Sequence, residues 1–446
     1  MHRAFGIILI LLSICYTGFS QGKFTVQNKN KSDKVKFKFI NNLIVFPVEI
    51  NGVELSFLLD TGVSKPIIFN ILNISDSLKI KDTELIQLRG LGEGETVEAL
   101  KSTNNVFRIG DAIKLNQDLY AVYDSNLSFA PRLGVPVHGI IGFDLFKDLV
   151  VEVNYTNKYL RLTEPEQYRY KNCNKCERFH LEFYNNKPYI NASVNIEEKD
   201  IPIKLLIDSG GSDALWLFED ETLGIKSSNK FFYDFLGHGL SGSVYGKRSR
   251  VDAFSLKGYK LKHVNVAFPD SSSTSYARRF KDRNGSISGN ILKRFNLIVD
   301  YRRAIITLKK NGHFKSKFTY NKSGIELAHD GVRLVRERDN SSIKRDPMSD
   351  AENTSGTRIV LDAQYRLSLK PAYRIVELRR DSPAERAGLK LGDIILSVNG
   401  KQAHQYSLQD LTQLFYDDTG KRIRLKINRN GVNMGFSFIL EDVFAE

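Results

Sequence analysis

Asp60 and Asp208 each close an apolar run and open a nearly identical motif, Phe57-Leu58-Leu59-Asp60-Thr61-Gly62-Val63-Ser64 and Leu205-Leu206-Ile207-Asp208-Ser209-Gly210-Gly211-Ser212. A carboxylate at the end of a buried strand is costly unless it is hydrogen-bonded or protonated, so two such sites in one chain point to a shared arrangement. Two carboxylates within hydrogen-bond reach cannot both ionise cheaply, and they hold one proton between them. Such a pair can activate a water: one carboxylate serves as its base while the protonated partner donates to a substrate carbonyl. The neighbours have physical tasks in that scheme. Thr61 and Ser209 can hydrogen-bond across the junction, Gly62 and Gly210 let backbone N–H groups approach the carboxylates, and Ser64 and Ser212 can hold their orientation.

The elements that must position the pair repeat along the chain. The two Asp lie 148 residues apart, and a glycine-spaced turn follows each: Arg89-Gly90-Leu91-Gly92-Glu93-Gly94 and Leu236-Gly237-His238-Gly239-Leu240-Ser241-Gly242. Gly90 maps to Gly237, and Gly92 to Gly239, at an offset of 147. Farther on, Ile140-Ile141-Gly142 precedes the strand-like run Leu149 to Tyr155, and Ile287-Ser288-Gly289 precedes Phe295 to Tyr301. Gly142 maps to Gly289 at 147 and Tyr155 to Tyr301 at 146, so the chain holds two copies of one lobe. Short β-branched and aromatic runs broken by Gly, Asn and Asp turns make both copies mainly β. Short helices are predicted near Asp144 to Lys147 and Ile291 to Arg294, and closing strands at Tyr159 to Thr163 and Ala304 to Leu308.

At 446 residues the chain is too long for one core. The pattern divides it into an N-terminal lobe over 21–163, a linker over 164–177, a C-terminal lobe over 178–312 and a third domain over 320–446. In the third domain Pro383 suits the first turn of a short helix, Gly388 its stop and Asn399-Gly400 a tight hairpin turn. Leu408, Leu411, Leu414 and Phe415 have helical spacing, and Ile423 to Ile427 and Gly435 to Leu440 read as strands. Val332 to Gly356 is charged and poor in apolar residues, and is expected to be a mobile insertion or long loop.

Residues 1–20 have the form of a signal peptide: His2-Arg3, the apolar run Ile7 to Tyr16, then small Gly18 and Ser20. That run is too short to span a bilayer, and no transmembrane candidate follows it. Anchoring through a lipid on Cys15 is disfavoured by Ile14, where a small residue is usual. The expected location is therefore periplasmic or secreted. Export leaves Cys173 and Cys176, whose default state in an oxidising compartment is a local disulfide, with no further Cys to complete a zinc site. The formal charge of +14 comes from Lys and Arg scattered among acidic residues, which argues against a nucleic-acid partner.

The paired Asp-Thr/Ser-Gly motifs, each followed by a small residue and then Ser, resemble those of aspartic peptidases, as do Ile140-Ile141-Gly142 and, with a polar Ser288, Ile287-Ser288-Gly289. Compact duplicated lobes with matching glycine turns are more similar to retropepsins than to pepsin, like a retropepsin dimer fused in one chain. The resemblance implies two acid-protease β-lobes with Asp60 and Asp208 as the catalytic dyad. It also implies glycine-rich flaps, here Gly90, Leu91, Gly92 and Gly237, His238, Gly239, closing over a peptide or unfolded protein substrate. No metal or organic cofactor is implied.

Ser382-Pro383-Ala384-Glu385-Arg386-Ala387-Gly388-Leu389 and Gly392-Asp393-Ile394-Ile395-Leu396-Ser397-Val398-Asn399-Gly400 resemble a PDZ domain, a small α+β barrel. A C-terminal peptide is the ligand that family implies, although an apolar-Gly-apolar carboxylate-binding loop is not evident, and Tyr365 to Pro371 occupies roughly its place. The sequence thus points to an exported endopeptidase whose PDZ module recognises or regulates substrates. A catalytically inactive peptide-binding adaptor is the alternative from another class, and self-processing within 332–356 is a third.

Overall fold

The structure, a computed structural model, describes residues 22–69, 75–123, 129–338 and 365–444. Residues 1–20, Cys15 among them, and the greater part of the charged stretch lie outside them. The protein is mainly β.

The two lobes are wired alike. In the first, Leu43–Ile50 pairs antiparallel with Val53–Leu59, and Gly139–Ile141 runs parallel to the latter with Ile141 opposite Leu59. In the second, Lys187–Ile196 pairs with Lys199–Asp208, and Gly285–Ser288 runs parallel to it with Ser288 opposite Asp208. Sequence explains the wiring locally. Leu43–Ile50 and Val53–Leu59 bury almost every apolar residue, and Asn51-Gly52 turns between them with φ of 52° and 89°, the left-handed pair a tight hairpin needs.

A six-stranded sheet then joins the copies. Its middle pair is Val150–Asn154 of the first copy against Phe295–Asp300 of the second, with Val151 opposite Val299. One contiguous core, including Leu59, Leu145, Val151, Ile207, Ile291 and Val299, serves both copies. The predicted short helices form at Phe143–Phe146 and Gly289–Leu292. Cys173 and Cys176 are joined by a disulfide, and Cys176–His180 already belongs to the joining sheet.

The chain divides into two compact units. One gathers Met1–Ser128, Val137–Asn229 and Leu236–Phe318. The other gathers Thr319–Glu446 with two excursions from the duplicated region, Phe129–Pro136 and Lys230–Phe235, which sequence alone assigns to the lobes.

In the second unit a six-stranded sheet carries Ile325–Arg338, Tyr365–Leu378, Ile394–Val398, Arg422–Arg429 and Val432–Ile439, with short Lys401–Gln402 alongside. Its core is separate, built around Leu327, Ile375, Ile395, Leu411, Phe415 and Ile427. Ser382 caps the helix Pro383–Arg386 by accepting from the Glu385 N–H at 3.3 Å. Arg132 forks between Glu326 at 2.8 Å and Glu377 at 2.9 Å, a cross-strand pair of like charges. The unit corrects one expectation: Val332 to Arg338 is not loop but strand, paired with Tyr365 to Pro371, the stretch assigned to the place of the carboxylate-binding loop. Val332, Leu334, Leu367 and Leu369 are all more than half exposed, so this arm is held by its backbone ladder and has no buried face for a sequence reader to detect.

Candidate active site

Each Asp is aimed by the strand it terminates. The Asp60 N–H donates to Ile141 O at 2.9 Å, and Asp208 is the last residue of its strand, opposite Ser288. The next residue in each copy reaches across to the other. Thr61 N donates to Ser209 Oγ at 3.0 Å, and Ser209 N donates to Thr61 Oγ1 at 3.0 Å. Each hydroxyl then donates to a carbonyl of the opposite copy, Thr61 Oγ1 to Ile207 O at 2.6 Å and Ser209 Oγ to Leu59 O at 2.8 Å. Four bonds therefore tie the two motifs where the carboxylates emerge, with Thr61 4% and Ser209 6% exposed.

The glycines complete the cradle. Gly62 N donates to Asp60 Oδ1 at 2.7 Å, and Gly210 N to Asp208 Oδ1 at 3.1 Å. A Cβ added to Gly210 would stand 2.4 Å from Asp60 Cγ, and one on Gly62 would stand 3.7 Å from Asp208 Oδ1. Each carboxylate thus lies against the other copy's glycine, and only a residue without a side chain fits at 210. Burial pushes the Asp60 carboxyl up to about 7, and the Asp208 charge adds to the rise. Burial raises Asp208 as well, opposed by the charges of Arg283 and Lys187 and by the Gly210 and Gly211 amides. Two desolvated acids facing each other hold one proton over the acidic range.

The aspartyl protease family matches residues 46–145, the span that carries Asp60 and its supporting strands, and the PDZ domain family matches residues 374–429. The chain carries an aspartyl protease domain and a PDZ domain. In the protease domain the Asp-Thr-Gly of the matched span meets the Asp-Ser-Gly of the second copy through the four-bond junction.

Two predicted orienting groups do something else. Ser64 Oγ donates to Asn185 O at 3.0 Å, and Ser212 contributes its carbonyl, which accepts from Asn42 Nδ2 at 2.8 Å. These bonds bind each aspartate loop to a hairpin turn of the other copy, so the two serines brace the junction and leave the carboxylates to the glycine amides. Asn42 was missed in the sequence, where an Asn-Asn pair reads as a turn and nothing more. Ser288, the polar departure in the second copy, is 3% exposed and packs beside Gly211, where an added Cβ would meet its Oγ at 2.8 Å.

The glycine turns also meet. Ser241 N donates to Leu91 O at 2.9 Å, Gly94 N to Ser241 O at 2.7 Å and Gly90 N to Ser241 Oγ at 3.1 Å. Gly239 packs on Leu91, where a Cβ would come within 2.1 Å of the Leu91 carbonyl oxygen. The register differs from expectation: Gly237, His238 and Gly239 end the strand Phe232–Gly239, and the tip is Leu240-Ser241. The equal 147-residue offset concealed this, because glycine spacing marks a hairpin without fixing which residues turn.

Two cations of the site carried no motif. Arg283, 7% exposed, donates to Gly285 O at 3.1 Å and Ser286 Oγ at 3.0 Å, and its charge favours ionised Asp208. Lys187 acts on both carboxylates. Among the described residues no group of three or more His, Cys, Asp or Glu is arranged to hold a metal ion, and no helix is long and apolar enough to cross a membrane.

Proposed function

We propose that the protein is an aspartic-type endopeptidase in which Asp60 and Asp208 form a catalytic dyad. The observation that carries this reading is the reciprocal Thr61–Ser209 junction, which sets two half-buried carboxylates, each with its own glycine amide, at one point shared by both lobes. In the proposed step the ionised carboxylate takes a proton from a water whose oxygen attacks the scissile carbonyl, while the protonated carboxyl donates to the carbonyl oxygen. The resulting gem-diol collapses as a proton passes to the amide nitrogen, the C–N bond breaks, and the acid and amine depart with the shared proton restored.

The interlocked tips at Gly90 to Gly94 and Ser241 would have to part to admit an extended chain, which they could then hold by backbone bonds. The natural substrate under this reading is an unfolded or extended polypeptide. The PDZ domain would recognise substrate or regulate access. The strand Phe232–Gly239, which leads to the Leu240-Ser241 tip, begins within the PDZ-containing unit, and this connectivity supports the regulatory role. We further propose that residues 1–20 direct export to the periplasm or beyond, with the Cys173–Cys176 disulfide in keeping with that location. Incubation of the purified protein with a chemically unfolded polypeptide from pH 3 to 8, with Asp208→Asn as control, tests the reading. Cleavage lost in the variant supports it, and equal cleavage by both removes the dyad from the mechanism.

A further inference from the structure

At one matched position beside the dyad the two lobes differ in charge. In each, an Asn-Asn turn with both residues left-handed delivers the strand that backs the aspartate: Asn41-Asn42, with φ of 49° and 66°, leads into Leu43, and Asn185-Asn186, with φ of 49° and 62°, leads into Lys187. The pairing Val45 opposite Leu58, continued two residues, sets Leu43 opposite Asp60. The pairing Tyr189 opposite Leu206, continued likewise, sets Lys187 opposite Asp208. Side chains opposite one another across antiparallel strands share a face. At matching places the first copy therefore presents a buried Leu43, 7% exposed, and the second a half-buried ammonium.

Among the described residues Lys187 makes no ion pair or hydrogen bond through its side chain, and its nearest aromatic partner is the Tyr276 ring, 6.0 Å from Nζ. A half-buried ammonium without a paired carboxylate is costly unless the dyad itself supplies the countercharge. The other groups facing this point are Arg283, which acts on Asp208 and repels Lys187, Tyr301, whose buried hydroxyl senses Asp60, and Tyr189, which bonds Arg283. Among the described residues, the cations that act on the two carboxylates, Lys187 and Arg283, both come from the second lobe.

We propose that Lys187 is a positioning residue of the dyad, an ammonium supplied by one copy alone that holds the pair's single negative charge and sets the pH range over which the singly protonated form persists. The proposal rests on the peptidase reading and deepens it. An opposite charge beside the pair favours every ionised form, so its removal moves both limbs of the activity profile towards higher pH, by about one unit.

The test compares the pH dependence of kcat/KM for the purified protein with Lys187→Leu, which copies Leu43, Lys187→Met and Lys187→Arg. Both uncharged variants should shift upward by about one unit while Lys187→Arg keeps the wild-type profile. Profiles that superimpose for all four proteins, or an Arg variant displaced as far as the Leu variant, would overturn the proposal. A second readout does not need turnover: 13C titration of [4-13C]aspartate-labelled protein, with Asp60→Asn and Asp208→Asn for assignment. The dyad's midpoint should rise in Lys187→Met, and an unmoved midpoint contradicts the role of Lys187 even if the wild type cleaves nothing. Absence of cleavage by the wild type, by contrast, counts against the peptidase reading alone.

Discussion

Thr61 and Ser209 each give a backbone N–H to the other's hydroxyl at 3.0 Å, across a junction between copies whose motifs start 148 residues apart. Each hydroxyl is at once acceptor and donor, so the junction leaves no buried polar group of its own unpaired. Removing one hydroxyl strands a buried N–H and a buried carbonyl together. Thr61→Val should therefore lower unfolding stability by about 1–3 kcal/mol, measured by urea titration. The double variant with Ser209→Ala should cost less than the sum of the two singles, because they break one network.

Gly210 separates stability from geometry. An alanine there would drive its Cβ to 2.4 Å from Asp60 Cγ, so the carboxylate must turn away from its partner. Gly210→Ala should lose at least about a hundredfold in kcat while KM for a peptide substrate changes little, since misplacement at the reacting centre acts on the transition state. Steady-state kinetics read both quantities.

The dyad should also mark the pH dependence of folding. The folded Asp60 carboxyl titrates at about 7 against an ordinary 3.8, chiefly because burial disfavours its charge. The folded state therefore binds the proton more tightly than the unfolded chain does. The stability from that proton is complete below about 4 and is lost as pH rises through about 7. Asp60→Asn carries no such charge and should be the more stable protein at pH 8, by roughly 2–4 kcal/mol, with the gap closing towards pH 4. Chemical denaturation at the two pH values measures it.

At the tips, Ser241 accepts from Gly90 N through its hydroxyl and from Gly94 N through its carbonyl. Ser241→Ala removes only the first bond. Amide exchange at Gly90 should quicken by about fivefold in the variant while Gly94 stays protected, as loss of one bond worth about 1 kcal/mol requires.

Much of this site was legible because two similar motifs carry the same local constraints. Asp60, Gly62, Asp208 and Gly210 serve local backbone geometry, so their types and order carry the information. Ser64 and Ser212 share that order, yet their bonds run to Asn185 and Asn42, partners set by the tertiary approach of two hairpins. Lys187 has the same difficulty in sharper form. A single Lys after a turn reads as a solvated residue, and only the strand register brings it opposite Asp208. The exposed arm at Val332 to Arg338 lacks a buried face, and Phe129 to Pro136 joins the PDZ-containing unit through Arg132, whose two carboxylate partners are roughly 190 and 250 residues distant in sequence.

If Asp60 and Asp208 work as one unit, cleavage of an unfolded polypeptide by the wild type, Asp60→Asn and Asp208→Asn at the wild-type pH optimum will show it. The wild type should turn over and each single variant should lose at least about a thousandfold, with the double variant no worse than either. A single variant that retains wild-type turnover would contradict it.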